Sequence, residues 1–287
     1  MSNFILSAFC DECGEETIQG QINACLENNI SLMELRGFGK DLNVNNMTIS
    51  QAKKIKAEID NANLTVFSIG SHYGKINIKD DFKEHFNSFK NTIEVAKILN
   101  AKSIRIFSFY FDENDCFNEY REEVINRIRK LTDYALKNGI IPCHENEKGI
   151  YGDTALRCLD VLSACEGNLR AVFDPANFVQ CNQNTIVAYE ILEPYIEYFH
   201  IKDALYSSGE VVPAGQGDGN IEEILNRVCK VNHKMVLSLE PHLKAFEGHA
   251  ELEKPINSTS TTHKNIYSSN MEMFKKAVSN LQCLINL

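Results

Sequence analysis

The 287 residues include 29 Lys and Arg against 39 Asp and Glu, a formal charge of −10, with 44% hydrophobic and 24% charged side chains. That is ordinary globular composition, and the acidic balance argues against a nucleic-acid surface, which needs clustered basic residues. It leaves room for a local basic pocket that takes a phosphate. Ten cysteines fall in no framework spacing and the chain is too long for a stapled miniprotein, so reduced thiols in a cytoplasmic protein are expected. Cys10 and Cys13 form a C-x-x-C with no second pair at zinc-site spacing. The start "MSNFILSAFC" lacks a basic n-region and a small-residue cleavage site, and no apolar stretch is long enough to cross a bilayer.

In chain order, short β-rich runs alternate with longer segments of helical period. "FILSAF" (4–9) leads into a helical stripe of Ile18, Ile22, Cys25 and Leu26, and "SLMELR" (31–36) and "LTVFSI" (64–69) follow. A second stripe, Phe82, Phe86, Phe89, Ile93 and Leu99, precedes "KSIRIFS" (102–108). A third, Val124, Ile128, Leu131 and Ala135, ends at Gly139, where a helix C-terminus favours glycine. "IIPCHE" (140–145) comes next, then Asp153 as an N-cap ahead of Leu156, Leu159 and Leu162. "RAVFD" (170–174), "IEYFHIK" (196–202) and "MVLSLE" (235–240) complete the strands, and a last helix spans about 271–284.

Eight strand–helix units without linker or low-complexity tract predict an α/β fold, a single (β/α)8 TIM barrel over residues 1–287. A doubly wound open sheet is the alternative, but no G-x-G-x-x-G follows the first strand. Residues 70–80 and 243–269 are long for connections and are expected as lids or surface loops.

Barrel enzymes carry their chemistry at the C-terminal ends of the strands. Strands five to eight end in Glu145, Asp174, His200 and Glu240, which in a closed barrel lie side by side on one rim. Three carboxylates and an imidazole suit one divalent cation, Mn²⁺, Mg²⁺ or Co²⁺, with positions left for substrate oxygens. Zn²⁺ is compatible but more often recruits further His or Cys. The plainer alternative has these residues cap loops and pair with Lys202, Arg170 or Arg36. His144 alternates to the other strand face and reads as packing. His72, Lys202, Asp203 and His242 lie near the same rim. Arg36 either holds a substrate carboxylate or phosphate or pairs with Glu34, Asp11 or Glu12. His85, His233, His249 and His263 are expected in solvent. Glu147 shares the side of Glu145 and is expected to orient substrate, or the loop through Tyr151, while Asn146 turns away.

With these residues placed, the chain resembles the xylose isomerase-like barrel superfamily, and within it the sugar phosphate isomerase/epimerase group. The resemblance runs over nearly the whole length and is carried by "CHENEKGIYGD", "VFDPANF", "FHIKDA", "VPAGQGDGNI" and "LSLEPHLKAFEG". It implies one divalent ion on Glu145, Asp174, His200 and Glu240, and proton abstraction α to a ketose carbonyl through a metal-stabilised enediolate. Glu145 and Glu240 would be the bases on the two faces of the substrate. The substrate would be a sugar or sugar phosphate, contacted by His72, Glu147, Asn177, Lys202 and Arg36. A homodimer or homotetramer would fit the group.

The sequence also departs from the ketose epimerase pattern. Asn177 stands where those enzymes carry a His, and Tyr206 where they carry an Arg. The alternatives are an inosose-type dehydratase, an apurinic-endonuclease-like phosphodiesterase, and a non-catalytic sugar-binding barrel. The endonuclease pattern needs more metals and histidines, and strand four ends in "IRIFSFYF" without one.

Overall fold

The structure is a computed structural model and describes residues 4–230, 234–245 and 267–285. Eight strands close into a parallel barrel: β1 (Phe4–Phe9), β2 (Leu32–Leu35), β3 (Thr65–Gly70), β4 (Ser103–Ile106), β5 (Ile141–Glu145), β6 (Arg170–Phe173), β7 (Ile196–Ile201) and β8 (Met235–Leu239). Each pairs with its chain neighbours, and β1 closes the ring against β8 with Phe4 opposite Met235 and Ala8 opposite Leu239. All eight expected strands are present, most of them a residue or two shorter than the apolar runs. The chain is a (β/α)8 barrel.

The helices are α1 (Ile18–Glu27), α2 (Ile49–Asn61), α3 (Phe82–Leu99), α4 (Phe117–Lys137), α5 (Ala155–Ala164), α6 (Pro175–Gln180), α7 (Thr185–Leu192), α8 (Ile221–Val228) and α9 (Asn270–Ile285). They bury their apolar stripes against the outward side chains of the strands in one continuous core. None is long and apolar enough to cross a membrane. Local signals fix their ends. Thr48 and Gln51 form a capping box that starts α2. Thr154, not Asp153, caps α5: its hydroxyl accepts from the Arg157 N–H, and Asp153 pairs with the Arg157 guanidinium instead. Both residues can cap, but Thr154 is the last extended residue before the helix.

Inward side chains stack in layers, as successive alternate residues of a strand must. The lower lining is apolar, with Phe67, Cys143, Val172, Tyr198 and Val236 packed on Ile5, Leu32 and Ile141. Two residues further along the same strands the lining turns polar, with Glu145 after Cys143, Asp174 after Val172, His200 after Tyr198 and Ser238 after Val236. One more step gives Glu147, Lys202 and Glu240. Thus period two alone brings the charged residues to one end of a dry plug.

The long connection after β3 is no loose lid. Phe107, Phe109 and Tyr110 donate backbone N–H groups to the carbonyls of Tyr73, Gly74 and Ile76, and Ile78 donates to that of Tyr110. Gly74 sits at φ +94°, and a Cβ there would lie 1.9 Å from the Phe107 carbonyl oxygen, so only glycine fits. The Gly74 N–H donates to His85 Nε2 at 2.9 Å. His85 is therefore half-buried rather than solvated, and burial together with Arg127 lowers its pKa to about 4. His233, His249 and His263, and most of 243–269, lie outside the described residues.

His85 gives a pH prediction with a definite sign. Its folded pKa of about 4 lies below the ordinary 6.5, so the unfolded chain binds the proton first. Its stabilising contribution is complete above pH 6.5 and is lost as pH falls from there towards 4. Between pH 7 and 5, the stability advantage of the native chain over His85→Gln should shrink by about 2 kcal/mol, at about 1.4 kcal/mol per pH unit. Urea unfolding of both proteins at the two pH values measures it; an unchanged difference would refute the assignment.

Candidate metal centre

Glu145, Asp174, His200 and Glu240 converge at the C-terminal end of the barrel, all buried, each offering one ligand atom within 4.8 Å of the others. Local sequence explains each placement. Glu145 ends β5, and His200 lies one residue before the end of β7. Asp174 is the N-cap of α6 with Pro175 behind it: Oδ1 accepts from the Asn177 N–H at 3.0 Å. Its second oxygen, Oδ2, faces the cluster, 2.8 Å from Lys202 Nζ. Glu240 follows β8 directly.

The chemistry of this donor set fits a divalent cation. His200 Nδ1 lies 2.7 Å from Glu145 Oε1 and 3.2 Å from Glu240 Oε2. Glu145 Oε2 and Asp174 Oδ2 are buried and accept no hydrogen bond among the described residues, although cations stand beside them. Within the site, Asp11, Glu12, Glu34, Glu145, Asp174 and Glu240 are all buried, against the buried permanent cations Arg36, Arg105 and Lys202. Carboxylates are in excess, and buried charge requires compensation. His200 lies among these carboxylates. Burial alone would lower its pKa, but Glu145, Glu34 and Glu240 hold it well above the ordinary 6.5. Burial pushes Asp174 up to about 7 against the pull of Lys202. Burial likewise opposes the ionisation of Glu240, yet Lys202 and His200 keep its carboxyl well below the usual range.

Of the other expected site residues, Lys202 stands in the centre, reaching Asp174 and, at 3.6 Å, Glu240 Oε2. His72 stands near Arg105, Lys75 and Glu240, with Nε2 buried and without a hydrogen-bond partner among the described residues. Glu147 pairs with Lys75 at 3.1 Å, bridging the connections after β5 and β3. It does not act through Tyr151, whose hydroxyl donates to Asp160 instead. Asn177 Nδ2 donates to the Asn146 carbonyl at 2.9 Å. Asn146 is not turned away: its side chain pairs with both backbone groups of Asp174, at 3.0 and 2.9 Å, and fixes that ligand. Arg36 spans Asp11 (2.9 Å), Glu12 (3.1 Å) and Glu240 Oε1 (2.8 Å), so its charge is spent within the protein. His144 packs away from the cluster, bonded to Ser108 at 2.9 Å, and burial lowers its pKa to about 3. Asp203 accepts from four backbone N–H groups and shapes the glycine-rich segment after β7. Tyr206 is exposed, its hydroxyl on the Gln183 carbonyl at 2.6 Å.

Three residues carry more of the site than the sequence reading assigned them. Arg105 is fully buried and reaches Glu145 Oε2 at 3.1 Å and Glu240 Oε1 at 3.4 Å. Its signal was an arginine at an inward position between Ile104 and Ile106, where a core residue is normal. Glu34 accepts from His200, Ser238 and Tyr198. Glu12 pairs with Arg36 and His242, and burial raises its pKa to about 8. His242, Glu12 and Glu240 also lie close enough to form a second acidic group, which Arg36 already neutralises.

A family model for the xylose isomerase-like TIM barrel matches residues 22–276. A 3-dehydroshikimate dehydratase from Bacillus anthracis is 21% identical over 181 residues, 57% of this chain and 65% of that enzyme. Among solved structures, a probable 3-DHS dehydratase involved in petrobactin synthesis from Bacillus anthracis superposes with a TM-score of 0.72 at 17% identity, covering 97% of this chain and 98% of the other. The 3-keto-D-glucoside 4-epimerase of E. coli gives 0.71 at 13% identity, covering 100% of both. On the extent of the family match, the chain belongs to the xylose isomerase-like TIM barrel family.

Proposed function

We propose that this protein is a divalent-metal-dependent enzyme that removes a proton α to the carbonyl of a polyhydroxylated substrate, as a sugar or sugar phosphate isomerase or epimerase does. The observation that carries it is the convergence of Glu145, Asp174, His200 and Glu240 on one buried point. A bound cation supplies Lewis acidity, polarising the carbonyl and lowering the cost of charge on its oxygen. The chain's residues do the rest. Glu145 takes the proton through Oε2, which accepts no hydrogen bond among the described residues although Arg105 lies 3.1 Å from it. Lys202, held as a cation by Asp174 and Glu240, donates a hydrogen bond to a substrate oxygen. His72 Nε2 and Glu147 orient hydroxyl groups. Transfer of the proton between adjacent carbons isomerises the sugar; return from the opposite face by Glu240 inverts one centre.

One geometric feature favours a second reading, a dehydratase. Arg36 and Arg105 both donate to Glu240 Oε1, at 2.8 and 3.4 Å, which occupies the oxygen an opposite-face base would use. A site in which Arg36 engages Glu240 and leaves Glu145 as the base, with the Lys202 cation beside a departing oxygen, suits loss of a proton and a β-hydroxyl. The curated relative is a dehydratase, and Asn177 and Tyr206 stand where the epimerase pattern has His and Arg.

The test is proton NMR in D₂O of the chain with Mg²⁺ or Co²⁺ and a panel of ketoses, their phosphates and cyclic keto-acids. Metal-dependent loss of an α-proton signal is expected, and the exchanging carbon and the product identify the reaction. If metal binds and no member of the panel exchanges or is consumed, the proposal fails for these substrate classes.

A further inference from the structure

Glu34 stands where a barrel interior ordinarily takes an apolar side chain. It points inward from β2, above the apolar layer that includes Tyr198 and Val236, and meets His200 at Nε2, the ring nitrogen away from Glu145 and Glu240. It is 1% exposed. A carboxylate at such a depth is costly unless several donors meet it, and three do. Ser238 Oγ donates at 2.6 Å, Tyr198 OH at 2.7 Å, and His200 Nε2 lies 3.1 Å away. These donors come from β7 and β8, so the contacts cross the barrel. The register between β2 and β3 shifts at Met33 and Glu34, with Phe67 as the extra residue, and this local irregularity helps set where Glu34 stands.

The imidazole is held on its faces as well. Phe9 and Tyr198 meet it edge-on, at centroid distances of 5.2 and 5.5 Å. Its other nitrogen, Nδ1, faces Glu145 and Glu240. The side chain can therefore present only one nitrogen to the ligand cluster, and Glu34 grips the other. The Ser238 and Tyr198 hydroxyls in turn fix the Glu34 carboxylate, and Ser68 Oγ lies 3.1 Å from the Tyr198 hydroxyl.

We infer that Glu34 is the positioning residue of the metal centre. By holding His200 Nε2–H it fixes the tautomer and ring orientation that leave Nδ1 as the ligand atom. A metal-bound histidine commonly gives its second N–H to such a partner, and loss of the partner weakens metal affinity about 10–100-fold. The inference rests on the metal-centre reading but not on the reaction.

Two measurements test it, neither reading turnover. The first is Co²⁺ titration of the full chain by calorimetry and visible absorption, for the native protein, Glu34→Ala, Glu34→Gln and Ser238→Ala. Glu34→Ala should bind Co²⁺ about 10–100-fold more weakly and with an altered ligand-field spectrum. Glu34→Gln, whose amide oxygen still accepts from Nε2–H, should recover part of both, and Ser238→Ala should lose less than Glu34→Ala. The second uses ¹⁵N-histidine NMR of the native chain loaded with Zn²⁺, so it stands even where a variant fails to fold. It should show His200 protonated at Nε2 and metal-bound at Nδ1. A Glu34→Ala protein with native affinity and spectrum, or His200 bound through Nε2, would overturn the inference alone. Absence of Co²⁺ binding by the native chain would overturn the metal centre and this inference with it.

Discussion

Glu145→Gln is expected to lower metal-dependent α-proton exchange by about 10³-fold or more, because a positioned base contributes about 10²–10⁴ and the neutral amide cannot accept the proton. The amide oxygen still points at the cluster, so Co²⁺ binding, measured separately, distinguishes loss of the base from loss of the ion. Glu240→Gln then separates the two reactions. If both glutamates act as bases, it should lose epimerised product as completely as Glu145→Gln does. If Glu240 Oε1 is reserved for Arg36 and Arg105, exchange should persist within about tenfold of the metal-corrected native rate, since the step it would remove is not part of the reaction. Native exchange rates in Glu145→Gln with the ion bound would sink the assignment of Glu145.

Asp203→Ala should be the most destabilising single change near the site. The carboxylate accepts from the N–H groups of Ala204, Gly215, Gly217 and Gly219 at 3.0, 2.9, 3.0 and 2.9 Å. Truncation leaves these donors facing a void, and each buried unsatisfied donor costs about 1–3 kcal/mol. Relaxation and water recover part of this, so a loss of about 3 kcal/mol or more in urea unfolding is expected. Asp203→Asn should fall between, keeping one acceptor oxygen while placing an amide donor against glycine N–H groups. The glycines are required by the same contact: a Cβ at Gly217 would lie 2.4 Å from Asp203 Oδ1. A change below 1 kcal/mol for Asp203→Ala would show that the loop holds itself by other means.

The aspartate also shows where sequence reading reached its limit. "HIKDA" and "VPAGQGDGNI" were recognisable as motifs, and their residues could be placed near the rim. Nothing in their spacing says that the aspartate of one organises the glycines of the other, since the bond spans more than ten residues and depends on a hairpin turning back. Asp153 and Thr154 make the same point locally. Both are good caps, and the helix begins after Thr154, which is extended and whose hydroxyl accepts the Arg157 N–H. The helices α2, α6, α7 and α8 are absent from the expected elements, although "TISQ" carries a complete capping box at the start of α2. That signal was local and readable.

By itself, the sequence determined the barrel and the rim. Strand identity came from short apolar runs, and Glu145, Asp174, His200 and Glu240 came to one end because period two and parallel closure permit no other outcome once the strands are known. The tertiary structure alone decided how the charges pair. Arg36 contacts Asp11, Glu12 and Glu240 rather than Glu34; Arg105 enters the centre; Glu34 holds His200 from beneath. The contacts of Arg36 and Arg105 with Glu240, and of Glu34 with His200, run across the barrel between strands far apart in sequence. Their partners are selected by depth and by the shortage of buried positive charge, quantities that exist only after the ring has closed.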